Sequence, residues 1–246
     1  MARSTGLLSL LLVAATAPAS AQGFEGTIVT QTYSGGKPRG EMVASYRGST
    51  TRIDMARAGG RPTGYMLIEA GSSVWTTVMP AQKTYTKMDL KAIAKDPRIQ
   101  PAPTTRTKAP TITKTGASET IAGFRCDHVV IESQDGSSID MCIAKGLGFF
   151  GMFGGSPGLG GQATPGAIDV PLEYCELVAT YKDGFQPLKV ERVKGSARET
   201  IMEVTRIEKK KLDPATFEVP AGFKEFDLNA LMKKLPIPAQ RRPPTT

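Results

Sequence analysis

A single histidine, His128, and three cysteines, Cys126, Cys142 and Cys175, carry most of the reactive side-chain chemistry in this 246-residue chain. One imidazole and three dispersed thiols cannot build a His-rich or Cys-rich cage, so no metal and no cofactor are expected. No C-x-x-C pair is present for redox exchange. His128 and Asp140 fall on one face of a predicted hairpin and can pair across it. With no nucleophile near them, a surface hydrogen bond is the expected role, and no residue is assigned to catalysis. Cys126 and Cys142 share that face and are the favoured disulfide pair in an oxidising compartment, with Cys142 to Cys175 as the rival. Cys126 and Cys142 sit diagonally rather than opposite, which predicts a strained bridge unless the hairpin carries a bulge.

Two glycine motifs suggest chemistry and fail on context. Gly154-Gly155-Ser156-Pro157-Gly158 matches G-x-S-x-G, but a hydrolase elbow needs the amide after Ser as an oxyanion donor. Pro157 has no N–H to give, and the only His precedes the Ser in the chain. Gly146-Leu147-Gly148-Phe149-Phe150-Gly151 matches G-x-G-x-x-G. The residues after it, Met152-Phe153-Gly154-Gly155, cannot open the helix that would hold a pyrophosphate. The chain is therefore not expected to be an enzyme.

The elements that would position these residues begin after a targeting segment. Residues 1–21 carry Arg3, an apolar run from Leu7 to Ala15 and Ala19-Ser20-Ala21, the pattern of a signal peptide cleaved after Ala21. No later stretch has the roughly 18 apolar residues of a membrane span, so no transmembrane anchor is expected. The composition, 40% hydrophobic and 22% charged, excludes a chain disordered throughout. The net charge is +8. It is spread over Lys91–Lys114, Arg206–Lys211, Lys233–Lys234 and Arg241–Arg242 without interleaved aromatics, which argues a solvated surface and no nucleic-acid partner.

From Gly23 to Met88 short strands are expected at Ile28–Tyr33, Met42–Tyr46, Arg52–Met55, Tyr65–Ile68, Val74–Met79 and Thr84–Met88. Gly and Ser clusters separate them, which predicts an antiparallel meander. A short helix is expected from Asp89 over Leu90, Ile93 and Ala94, followed by an extended connector at 96–110 with Pro97, Pro101, Pro103 and Pro110. Thr120 to Ala144 reads as a hairpin turning at Gln134-Asp135-Gly136, with Val129 opposite Met141 and Ile131 opposite Ile139. Cys126, His128, Val130, Asp140 and Cys142 then occupy its other face. Residues 146–168 form a Gly/Phe-rich insertion with Phe149, Phe150 and Phe153. A helix follows from Asp169 to Gly184, then strands at Pro187–Val193 and Thr200–Ile207. Residues 22–226 are read as a single domain, and 227–246 as a short helix with a disordered basic tail.

Several segments in order resemble a bacterial exported family described only as a domain of unknown function, on the fold of the periplasmic lipoprotein carriers (LolA/LolB-like). They are Phe24-Glu25-Gly26-Thr27-Ile28, the run Val78 to Tyr85, Glu119 to Cys126, Ile143 to Gly148, Pro187-Leu188-Lys189-Val190 and Lys211 to Phe223. The resemblance implies a mainly β (α+β) fold: a strongly curved antiparallel sheet, a half-open barrel, with short helices on its concave side. It also implies no catalytic residues. By analogy with the carriers, the expected function is a soluble, monomeric, periplasmic protein that binds an apolar ligand, a lipid or lipidated protein, under the sheet. The alternative is an envelope interaction module with a filled core. Met66, Ile68, Trp75, Val129, Ile131 and Met141 are the expected wall of the cleft, and Phe149, Phe150 and Phe153 its flap.

Overall fold

The computed structural model describes residues 23–56, 62–70, 72–89, 111–132, 136–147 and 185–227. Among these, twelve strands form one sheet. The first six are β1 (Gly26–Ser34), β2 (Lys37–Arg47), β3 (Thr50–Ala56), β4 (Pro62–Glu69), β5 (Val74–Met79) and β6 (Thr84–Asp89). The rest are β7 (Thr111–Ile121), β8 (Phe124–Glu132), β9 (Ser137–Ala144), β10 (Gln186–Lys194), β11 (Ala197–Lys209) and β12 (Lys224–Glu225). Their order across the sheet is β12-β6-β5-β4-β3-β2-β1-β11-β10-β9-β8-β7, so it ends in two different edges and is not closed. Two meanders, β1 to β6 and β7 to β11, are joined where β1 pairs with β11.

Tight turns make the meanders. Ser34 pairs with Lys37 around Gly35-Gly36, whose φ values of 58° and 69° are those of a type I′ turn. The same two-residue geometry occurs between Ile121 and Phe124, but there the first turn residue is Ala122, with φ 49°. A Cβ in that region is sterically costly.

Where β1 and β11 meet, Thr205 is an extra residue on β11, opposite the step from Val29 to Thr30. A second extra residue on β11, Ile201, faces the step from Val190 to Glu191. On β10 the extra residue is Leu188, between the pairs Pro187–Ile143 and Lys189–Cys142. Bulges bend a strand and increase its twist, and these three lie on β10 and β11. Gly26 allows the closest approach of the two meanders: a Cβ built there would overlap the carbonyl oxygen of Glu208. Across the core, the Tyr46 hydroxyl donates to Gln186 Oε1 at 3.1 Å, with both residues buried. Burial raises the pKa of Tyr46 far above the usual phenol value.

The structure corrects several expectations. The expected strands in both meanders are present, most of them longer than read. The stretch ahead of Thr120, which carried no strand assignment, is the first part of β7. Its apolar alternation is weak because it is an edge strand, mostly exposed, and breaks register between Lys114 and Ser118 around Gly116. The sheet is also not antiparallel throughout. At the other edge β12 runs parallel to β6, with Lys224 N–H donating to the Lys83 carbonyl and Phe226 N–H to that of Tyr85. The helices expected over 90–94, 169–184 and the tail lie outside the described residues. Among the described residues, helical structure is limited to 3-10 turns at Pro80–Gln82 and Pro214–Phe217.

Two substitutions test this account with opposite signs. Gly26→Ala should destabilise the fold by about 1–3 kcal/mol, as overpacking does. Ala122→Asn should stabilise it by about 0.5–1 kcal/mol by supplying a residue that tolerates a positive φ. Urea denaturation of each variant reads both, and a neutral Gly26→Ala would contradict the close approach of β1 and β11.

Candidate functional site

The six expected wall residues can be followed through the pairing of the strands. Trp75 is opposite Ile68, and Met66 is opposite Ile53, which faces Ala44, which faces Ile28. Along β1, Ile28, Thr30 and Thr32 point to one side, because the extra residue at the β1–β11 step belongs to β11. Thr32 is opposite Met202, Met202 opposite Val190, Val190 opposite Met141 and Met141 opposite Val129. Ile131 follows two residues after Val129. Met66, Ile68, Trp75, Val129, Ile131 and Met141 therefore share one face of a single sheet.

These residues fall into two separate packed clusters, the first of which also holds Cys126 and Cys142. Ile68 is buried with Ile28, Ala44, Tyr46 and Ile53, and Met66 and Trp75 pack against them only half-buried. Val129, Ile131 and Met141 are buried with Phe185, Val190 and Met202. Met42 touches both regions. Phe149, Phe150 and Phe153 lie outside the described residues. No ligand role follows from burial alone.

The opposite face of the β8–β9 hairpin carries the ionisable groups. The register expected for this hairpin is the one found, with His128 opposite Cys142 and Val130 opposite Asp140. His128 Nδ1 lies 2.8 Å from Asp140 Oδ1, and Asp140 Oδ2 accepts from Arg198 Nη1 at 3.0 Å. A carboxylate oxygen only accepts, so Nδ1 carries the proton and Nε2 faces outward along the ring. Arg198 also donates to Glu191 at 2.9 Å, and Lys189 lies 3.4 Å from the other oxygen of Glu191. The bonds to Asp140 and then Glu191 raise the pKa of Arg198 above its ordinary value. On the far side of the ring, Nε2 is 3.3 Å from Glu119 Oε1. The contact is not aligned as a hydrogen bond, and Oε1 is buried without one.

The result is a polar row across five strands: Glu119 on β7, His128 on β8, Asp140 on β9, Glu191 on β10 and Arg198 on β11. Beside it, Cys126 and Cys142 form the expected disulfide, with a Cα–Cα distance of 5.2 Å. That distance is ordinary for a disulfide. No bulge interrupts the β8–β9 pairing, so the expected requirement for one is corrected. Right-handed strand twist brings one diagonal pair of side chains together.

The sequence singled out His128 and Asp140 but not Glu119, Glu191 or Arg198. Glu119 was hidden because β7 has little apolar alternation. Arg198 was hidden because β11 was read as starting at Thr200, whereas Lys194 pairs with Ala197 across a two-residue turn. The dipeptide Gly195-Ser196 was the available signal for that earlier start.

Solved structures similar to this chain include an uncharacterized conserved protein from Thermus thermophilus, at 8% identity and a TM-score of 0.44. That match covers 84% of this chain and 92% of the other. PNGF-II matches at 15% identity and a TM-score of 0.42, over 86% of this chain and 32% of its own length. The Pseudomonas aeruginosa MucA/MucB complex matches at 11% identity and a TM-score of 0.39, over 82% of this chain and 57% of the other. The chain thus spans about a third of PNGF-II and somewhat over half of the MucA/MucB match. No curated protein matches the sequence. A family model described as "Domain of unknown function (DUF4412)" matches residues 24–223, and the chain belongs to that family.

Proposed function

We propose that this protein is a non-enzymatic binding protein of the cell envelope that shelters an apolar ligand, a lipid or a lipidated partner, on the apolar face of its sheet. The observation that carries this reading is the shared face of Met66, Ile68, Trp75, Val129, Ile131 and Met141, derived from the strand register. Burying apolar surface there is worth about 25 cal/mol per Å², enough for a modest contact area to hold an acyl chain. Met66 and Trp75, half-buried, are the residues with surface left to give. The sheet, with its two meanders joined at β1 and β11, is compatible with the half-open barrel of the LolA/LolB-like carriers. Phe149, Phe150 and Phe153 are assigned as the flap.

The remaining parts of the reading are consistent with this role. A disulfide suits an oxidising compartment, in keeping with export by the segment ending at Ala21 and a periplasmic location. Among the described residues no helix is long and apolar enough to cross a membrane. His128 has carboxylates on both sides, and the sulfur nearest it, that of Cys142, is held in the disulfide, which is compatible with a non-enzymatic role.

One observation favours the alternative of an interaction module with a filled core. Val129, Ile131 and Met141 are 0%, 1% and 3% exposed, so the β8–β9 part of the face is already packed. The ligand is therefore placed at the Met66 and Trp75 end.

Trp75 is the only tryptophan, which makes it the reporter. Titration with a long-chain fatty acid brominated along its tail should quench Trp75 emission to saturation near one equivalent. Unchanged emission at excess fatty acid would remove the carrier reading and leave the interaction module. Replacing Phe149, Phe150 and Phe153 together by Ser should speed ligand release at least about tenfold, while the urea midpoint moves little. A collapse of the midpoint instead would assign the three rings to the core.

A further inference from the structure

The corner where β7, β8 and β9 meet holds three kinds of zinc ligand at once. One ligand atom each from Glu119, His128 and Cys142 lies within 4.8 Å of the others. Cys126, whose sulfur is bonded to that of Cys142, stands outside that group and would turn in only once the bridge is reduced. Zinc in a tetrahedral site needs ligand atoms about 3.3–3.8 Å apart, so the cluster is within a side-chain adjustment of that geometry. The strand pairing sets this arrangement: His128 is directly opposite Cys142, and Glu119 is directly opposite Cys126.

Two further features match a metal centre. Asp140 accepts from His128 Nδ1 at 2.8 Å, which leaves Nε2, 3.3 Å from Glu119 Oε1, as the ring nitrogen available to a metal. A carboxylate behind a histidine, itself anchored by Arg198, is the arrangement that orients metal-binding imidazoles. The second feature is Glu119 Oε1, buried and without a hydrogen bond, 3.3 Å from that nitrogen. A buried carboxylate oxygen without a hydrogen bond is stabilised by a cation beside it.

In the oxidised protein the sulfurs are spent on each other and give no thiolate. We propose that this corner is a reduction-gated zinc site, in which the thiolates of Cys126 and Cys142, His128 Nε2 and Glu119 Oε1 bind one Zn²⁺ in place of the disulfide. Reduction by a dithiol adds two electrons and two protons to the bridge, giving two thiols while the dithiol closes to its own disulfide. Zinc then displaces the two thiol protons to solvent, and the neutral imidazole contributes its lone pair without losing a proton. The donor set, two soft sulfurs with one nitrogen and one oxygen, selects Zn²⁺ over Mg²⁺ or Ca²⁺. The corner would be stapled by sulfur under oxidation and by zinc under reduction. The metal form adds β7 to the staple through Glu119.

The test uses the full chain carrying Cys175→Ser, so that the remaining thiol cannot bind metal by itself. The protein is reduced with a phosphine under nitrogen, and Co²⁺ is added as the spectroscopic probe. One equivalent should give the intense visible bands of tetrahedral thiolate coordination, and Zn²⁺ should abolish them. The oxidised sample should give none. Asp140→Asn should weaken Co²⁺ binding by about 10–100-fold, and His128→Ala and Glu119→Gln by at least about tenfold. Far-UV circular dichroism of each reduced variant before metal addition monitors the sheet. Where His128→Ala fails to fold, Glu119→Gln, at the sheet edge, decides. Absence of bands in the reduced chain overturns the proposal. So does unchanged affinity in Glu119→Gln, or a reduced chain that unfolds and is not restored by Zn²⁺.

Discussion

The ladder between β1 and β11 is the constraint on which the rest of the structure depends. It joins the first strand of the domain to nearly the last, and a side-chain contact there, Thr27 to Glu208, spans 181 positions of sequence. Ile28 and Met202 are 0% exposed and Val204 2%, so the seam is the inside of the protein rather than an edge. Neither meander alone covers the strand it brings to the seam: without β11, β1 would present a row of unpaired backbone groups beside buried apolar side chains. Long-range pairing of this kind is slow, because the loop-closure entropy is lost before the contacts form. The absence of a Cβ on Gly26 is what permits the two strands to approach at their crowded end.

From that seam outward, the sheet separates its two kinds of chemistry by the alternation of side chains. One face carries the apolar residues from Trp75 through Met66, Ile53, Ala44 and Ile28 to Met202, Val190, Met141 and Val129. The other face of the β8–β9 hairpin carries His128, Asp140 and their partners. The extra residues on β11 face different neighbours, Thr205 towards β1 and Ile201 towards β10. The disulfide ties the second face to the apolar core, since Cys126 and Cys142 are both buried within it.

The edges are handled differently. At β6 the short parallel strand β12 satisfies two backbone carbonyls, and Arg52 helps hold the chain that leads there. Its guanidinium donates to the Thr216 carbonyl at 3.1 Å and lies 3.7 Å from the centre of the Tyr65 ring. Tyr65 in turn donates its hydroxyl to the Glu218 carbonyl at 3.1 Å. The far edge, β7, is polar and broken in register at Gly116, both of which discourage growth of the sheet by another chain. Those same features concealed it from a reading of apolar alternation.

The sequence by itself determined the local order of this protein. Gly-rich turns and β-branched runs marked ten of the twelve strands, and the register expected for the β8–β9 hairpin, which brings His128 to Asp140 and Cys126 to Cys142, is the one found. These are consequences of backbone conformation and of a period of two, both written in neighbouring residues. Only the tertiary structure decided what depends on distant pairing. That Met66 and Met141 share a face required every ladder between them, including the one between β1 and β11. That Glu119 and Arg198 join His128 and Asp140 required β7 and the start of β11, whose side chains are too polar to announce a strand. The parallel β12 required an edge to dock on. Periodicity reports burial, so strands at the rim, where burial fails, become legible only when their neighbours are in place.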